Sequence, residues 1–382
     1  MQNKVNHVPL IKSLEMEINN ILHQDELFWR QTSRSIWLPA GDKNTKVFHQ
    51  WASQRQQKNN ISGLKDNNEN WCTFEDQIAQ NAEQYFQDLF TSNNLENLRG
   101  VLDSVDKVIT LDMNNTLLRS YTANEVRRAL FQMHSSKSPR PDGMSPFLFQ
   151  KYWNIVGPDV SNVVLSMLNS GHMLHKMNYT HIVFIPKKND PKKLSDFCPI
   201  NLGNVISKIL SMVIANRLKY VLPNVISKAQ SAFVPNRLIT DNTTVAYELL
   251  HKMRNKRKDQ VGQMVVKLDI SKAYDKVELS FLQEIMLKLG FDPRWIQLAM
   301  ETITIATYSI LINGEPRGFV TPSRGIKQGD LFSPYLFLLC AEGLSTLLRK
   351  AEANHMLKGI KTSQNGVYIS HLLFANYSLL FC

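Results

Sequence analysis

Near its end the chain sets two apolar runs, Leu372-Leu373-Phe374-Ala375 and Ser378-Leu379-Leu380-Phe381, on either side of Asn376-Tyr377. Two strand-forming runs around a two-residue centre predict a β-hairpin with its turn at Asn376-Tyr377. About a hundred residues earlier, Met264 to Leu268 predicts a buried strand with Asp269 at its end. A carboxylate there must be solvated, paired or bound to metal. An ordinary strand-end Asp that caps the following turn accounts for it equally well.

Other punctuation is local. Thr122-Ala123-Asn124-Glu125 is a capping box that opens a helix. Ser145-Pro146 and Ser333-Pro334 each supply a cap followed by a first helical position. Asn313-Gly314 predicts a tight hairpin turn, Lys65 to Asn70 a turn between short strands, and Gly290 a helix stop. Residues 9–23 form an amphipathic helical pattern through Leu10, Ile11, Leu14, Ile18, Ile21 and Leu22. From Phe28 to about Asn70, Arg30, Arg34, Lys43, Lys46, Arg55 and Lys58 alternate with Trp29, Trp37, Phe48 and Trp51. That interleaving suits phosphates and stacked bases, or a helical surface with core-facing aromatics. Residues 91–120 are weakly patterned and mark a candidate boundary. A helix from about Thr240 ends in Lys252, Arg254, Lys256, Arg257 and Lys258. Cations complement a helix C-terminus, and they also provide a candidate nucleic-acid-binding patch.

The 382 residues carry a net charge of +11, which favours polyanions such as nucleic acid and also suits anionic membrane surfaces. Four scattered cysteines, Cys72, Cys198, Cys340 and Cys382, indicate neither a zinc knuckle nor a disulfide framework. No signal peptide or membrane span is expected, so the chain is read as intracellular, in nucleus or cytoplasm.

Three ordered motifs then become recognisable. Lys267-Leu268-Asp269-Ile270-Ser271-Lys272-Ala273-Tyr274-Asp275 resembles the first catalytic motif of reverse transcriptases. Arg324 to Gly329 with Ser333-Pro334 resembles the second, and His371 to Leu380 the third. Gln230-Ser231-Ala232-Phe233-Val234-Pro235, Arg237 to Asn242 and Lys137 to Gly143 are similar to the non-LTR (LINE-type) branch. Phe28-Trp29-Arg30-Gln31 and Gly41-Asp42-Lys43-Asn44-Thr45-Lys46 are similar to the linker of plant elements of this type.

The resemblance implies an α+β right-hand polymerase. Its fingers and palm, with an antiparallel palm sheet and packed helices, would span residues 181–382. A helical N-terminal extension would occupy 121–180 and a linker region 1–120, and the thumb would be missing after the third motif. It implies an RNA template, a DNA primer and deoxynucleoside triphosphates as partners, and two divalent metals, Mg²⁺, for nucleotidyl transfer. Carried over, Asp269 and the Ile270 carbonyl are metal ligands. Tyr274 lies under the sugar, Gln328 and Gly329 shape the nucleotide pocket, and Lys187 faces the triphosphate.

The sequence departs from this pattern where the chemistry sits. Asn376 and Tyr377 occupy the positions of two adjacent catalytic aspartates, and Cys198 replaces an arginine expected near the triphosphate. Leu331-Phe332 stands for a Pro-Leu pair and Arg140 for a glycine. A polymerase-like fold with lost catalysis is therefore expected, with a non-catalytic nucleic-acid-binding remnant as the alternative.

Overall fold

Turn residues end the elements largely where their backbone chemistry requires. The computed structural model describes residues 8–33, 45–93, 98–135, 141–255, 262–362 and 366–382. It opens with helices α1 (Val8–Ser33) and α2 (Thr45–Asn59), the short strands β1 (Leu64–Lys65) and β2 (Trp71–Cys72), and α3 (Glu75–Phe90). Five helices follow: α4 (Arg99–Leu102), α5 (Leu111–Leu118), α6 (Ala123–Phe131), α7 (Pro146–Lys151) and α8 (Trp153–Ser170). Then come β3 (Tyr179–Pro186), β4 (Phe197–Gly203), α9 (Val205–Val225), α10 (Ile239–Asn255) and β5 (Val265–Asp269). The last third holds α11 (Leu279–Leu289), α12 (Pro293–Thr304), β6 (Thr307–Ile312), β7 (Glu315–Val320) and α13 (Ser333–Ala353). It closes on β8 (Ile360–Lys361), β9 (Tyr368–Ile369), β10 (His371–Phe374) and β11 (Tyr377–Phe381).

The capping box at α6 forms in both directions, from the Thr122 hydroxyl and the Glu125 carboxylate. Asn313 and Gly314 take φ values of 49° and 99°, so a two-residue turn joins β6 to β7. Gly290 ends α11 in the left-handed region. Ser145 is the cap residue of α7 with Pro146 as its first position, though without a side-chain cap bond. One cap differs from expectation: Ser333 lies inside α13, with Phe332 as its cap residue.

Two sheets define an α+β fold. A four-stranded sheet runs β4-β3-β6-β7, antiparallel except for the parallel β3–β6 pair. Helix α3 packs on its β6–β7 end, where Phe86 stacks on Phe90 and Phe184 and Phe90 meets Tyr308. This is the fingers-like layer. The palm-like sheet is β10-β11-β5, antiparallel throughout. The largest core lies among the helices, with α9 at its centre and Trp295, Leu282 and Leu338 fully buried. Residues 98–118, weakly patterned in sequence, enter that core through Leu102, Val105, Ile109 and Leu117.

Expectation fails at β5. The run from Met264 to Leu268 is half-buried to exposed rather than buried; Met264 is 57% and Leu268 40% exposed. The reason is pairing: among the described residues β5 bonds only to β11, so it is an edge of the sheet. The apolar stripe of α1 is likewise exposed from Leu10 to Leu22; among the described residues the main element packed on this helix is α2. Of the basic and aromatic residues expected before Asn70, Phe48 is buried, Trp51 is exposed and Trp29 stacks on His49. Arg34, Trp37 and Lys43 lie outside the described residues, as does 136–140 of the Pro-rich loop.

Candidate active site at the palm hairpin

The strand register builds the site. Tyr377 pairs with Asp269 and Ser378 with Leu268, so the hairpin tip lies against the end of β5. The turn is Ala375-Asn376, one residue earlier than expected, because Tyr377 already pairs with Phe374. Ala375, with φ of 50°, carries the left-handed conformation. Asn376 then points its amide at β5: Nδ2 donates to Asp269 Oδ1 at 3.0 Å and to the Ile270 carbonyl at 3.4 Å. The Ile270 N–H returns a bond to the Asn376 carbonyl at 3.1 Å. Asp269 is exposed, and Tyr377 is 46% exposed with the Lys267 ammonium 5.8 Å from its ring centre.

Behind the hairpin, Gln230 acts as a clamp. Its buried Oε1 accepts from the Ala375 and Ala232 N–H groups, both at 3.0 Å. The Ser231 N–H donates to the Leu373 carbonyl and the Leu373 N–H to the Ala229 carbonyl. Asn242 adds bonds to the Leu373 and Ala229 carbonyls. Sequence singled out the segments holding Gln230 and Asn242 but assigned them no role; the motif match to the branch was the available signal.

The first and second motifs meet through backbone bonds, Gly325 N–H to Val277 and Ile326 N–H to Tyr274. A Cβ on Gly325, whose φ is 92°, would lie 2.8 Å from the Asp275 carbonyl oxygen. Tyr274 stacks on Phe337 with centroids 5.3 Å apart, and burial pushes its phenol up to about 12. The second-motif loop lies on β4: the Asn201 N–H donates to the Gln328 carbonyl, and the Gln328 amide donates to Cys198 Sγ at 3.2 Å. Gln328 thus meets the cysteine that replaces the expected arginine. Gly329 takes φ of 91° beside Ile200. Lys327 is buried and donates to the Asn178 side-chain oxygen, and burial lowers its ammonium to about 8.

Asp275 is 5% exposed, and desolvation raises its carboxyl to about 6 against the opposing charges of Lys272 and Lys187. Lys187 itself is exposed, bonds the Ser195 carbonyl and acts across the layers on Asp275. Lys252 donates to the Lys361 carbonyl, tying α10 to β8, and Arg254 lies one turn-fraction further along α10. Lys256, Arg257 and Lys258 lie outside the described residues. Structure therefore joins Asp269, Ile270, Asn376 and Tyr377 at one tip, and Gln328 with Gly329 on the fingers-like sheet.

Residues 185–373 match the family model for reverse transcriptase (RNA-dependent DNA polymerase), just under half of the chain. The chain is 26% identical over 328 residues to the uncharacterized 149 kDa protein of transposon TX1 of Xenopus laevis, covering 85% of this chain and 25% of that protein. It is 27% identical over 235 residues to the retrovirus-related Pol polyprotein of a type-2 retrotransposable element of Drosophila melanogaster, covering 61% of this chain and 22% of that protein. The chain carries a reverse-transcriptase domain of the non-LTR retrotransposon type. An uncharacterized mitochondrial protein of Arabidopsis thaliana is 58% identical over 66 residues, 17% of this chain and 54% of that protein. The chain thus spans about a quarter of the transposon TX1 protein and about half of the mitochondrial one.

The reverse-transcriptase tip does not fit a two-metal centre. Among the described residues no group of three His, Cys, Asp or Glu could hold an ion. The donors confirm the mismatch: a divalent cation needs oxygen acceptors, and the Asn376 amide spends its N–H on the two oxygens, Asp269 Oδ1 and Ile270 O, that would otherwise face it. Among the described residues, no helix is long and apolar enough to cross a membrane.

Proposed function

We propose that this chain comprises the fingers and palm of a non-LTR reverse transcriptase whose metal-dependent nucleotidyl transfer is lost and whose grip on nucleic acid remains. In this reading residues 181–382 are fingers and palm, 121–180 a helical extension and 1–120 a linker region. RNA template, DNA primer and deoxynucleoside triphosphates are the ligands of the parent activity, with Mg²⁺ as its metal. Kinship with plant elements is supported by the Arabidopsis match. The single observation that carries lost catalysis is the Asn376 amide bonded to both Asp269 Oδ1 and Ile270 O. A neutral donor cannot replace a carboxylate ligand, and each 1.4 kcal/mol of transition-state stabilisation lost slows transfer about tenfold.

Primer extension on an RNA template with Mg²⁺ or Mn²⁺ tests this directly. The expected result is no product above an Asp269→Ala control. Robust incorporation that vanishes in Asp269→Ala overturns the reading.

The retained grip is supported by cations and open aromatic faces on the palm-like layer, at the hairpin tip and along α10. Lys267 lies over Tyr377, Tyr247 is 71% exposed and stacks on His251, and Lys252 and Arg254 sit on the same helix. Such surfaces hold single strands by charge and stacking. Binding of labelled RNA at low salt, weakened by charge reversal at Lys252 and Arg254, is the expected behaviour; no binding at low salt removes this part of the proposal.

A further inference from the structure

A second site lies away from the palm hairpin. The end of α2, the β1–β2 hairpin and the turn after β3 enclose a cavity of about 280 Å³. Lys58, Asn60, Gly63, Trp71, Lys188 and Asn189 line it. Trp71 is the unusual member. A Cβ at Gly63 would lie 2.5–2.9 Å from Cζ2, Cε2 and Nε1 of the indole, so the ring rests on the bare Gly63 backbone. Even so, Trp71 keeps 49% of its surface exposed at the cavity. A large aromatic ring supported from below and left open is a platform that its own fold does not fill.

The charges around it are uneven. Lys58 makes no ion pair among the described residues. Lys188 pairs with Asp196 at 3.0 Å, while the cavity's one acid, Asp190, is already paired to Lys192 at 3.3 Å. The turn itself is firmly held, since the Lys192 and Lys193 N–H groups both donate to Asp196 and Lys65 N–H donates to the Lys192 carbonyl. Its two leading lysines serve different sides. Lys187 acts on Asp275 toward the first motif, and Lys188 lines the cavity.

We propose that this cavity is a stacking site for single-stranded nucleic acid, in which the Trp71 indole receives one base and Lys58 and Lys188 hold the flanking phosphates. The proposal rests on the reading that the chain grips nucleic acid and adds a separate place for it. Every base offers a π-face to an indole, so the site tolerates sequence, and the Asn60 and Asn189 amides supply groups for a base edge. Duplex cannot use it, because paired bases are already stacked.

The test compares a labelled single-stranded oligoribonucleotide with a blunt duplex on the full chain. Trp71→Ala is expected to weaken single-strand binding about tenfold and leave duplex binding unchanged, with Trp71→Phe retaining most of the affinity. Charge reversal at Lys252 and Arg254 should weaken both ligands. Trp71→Ala that binds single strands like the parent overturns this site alone; a parent that binds neither ligand overturns the wider reading as well. A measurement on the unaltered protein guards against misfolded variants. Photocrosslinking with a 4-thiouridine oligonucleotide should label the tryptic peptide that begins at Asp66 and contains Trp71, and its absence from the adducts also overturns the site.

Discussion

At the residue scale, one amide and one carboxylate carry the main consequences. Changing both Asn376 and Tyr377 to Asp removes the donor that occupies Asp269 Oδ1 and adds two acceptors at the tip. Calorimetric titration with Mn²⁺ is expected to register binding in that double variant and none in the parent. Asp275 has the opposite problem, a carboxylate with little water. Its folded value of about 6 exceeds the ordinary 3.8, so the folded state holds the proton more tightly. That contribution is fully present below pH 3.8 and is lost as pH rises through 6, at most about 3 kcal/mol by linkage. His371 runs the other way. Burial, then the Arg349 charge, depress it to about 4, so its contribution is present above pH 6.5 and is lost as pH falls toward 4. The two slopes oppose each other between about pH 4 and 6. Asp275→Asn should therefore gain stability relative to the parent as pH rises over that window, read as a difference in Tm against pH.

At the element scale, two buried side chains lock pieces that short-range pattern does not join. Gln230 ties the hairpin turn to its own segment by accepting from the Ala375 and Ala232 N–H groups. Gln230→Leu leaves both without that acceptor and should cost about 2–4 kcal/mol in denaturant unfolding. Arg217, 1% exposed on α9, bonds the Leu117 and Ser120 carbonyls and the Glu125 carboxylate of the α6 capping box. Its guanidinium also lies 3.5 Å from the Tyr121 ring centre. Arg217→Ala leaves Glu125 without its buried partner and should destabilise the fold by about 3–5 kcal/mol. The capping box was legible from four consecutive residues; the arginine that completes it comes from 92 positions away.

At the scale of the whole molecule, the fingers-like sheet is not self-sufficient. Its β6–β7 end is covered by α3, and Asn313 at the β6–β7 turn exchanges bonds with both the N–H and the carbonyl of Ile61. Residues well before the family match thus complete the layer that positions Lys187 and Gln328. Net charge acts at this scale too. With +11 spread over the chain, RNA affinity should fall roughly tenfold or more between 50 and 200 mM salt, measured by fluorescence anisotropy. A flat salt response would show that phosphate contacts do not carry the binding.

Sequence by itself determined what depends on neighbours in the chain. The capping box at Thr122, the turn at Asn313-Gly314, the stop at Gly290 and the hairpin before the C-terminal residue all follow from local backbone chemistry. So did the departure at Asn376-Tyr377, because a missing carboxylate is visible without coordinates. Only tertiary structure decided what depends on partners far apart. It moved the turn to Ala375-Asn376 through the Phe374–Tyr377 pair, and it left β5 exposed because, among the described residues, one edge has no partner strand. It set Gln328 against Cys198 and laid Trp71 on Gly63. Apolar content told that β5 was a strand, but burial is set by what packs against it, and that is a property of the assembled layers.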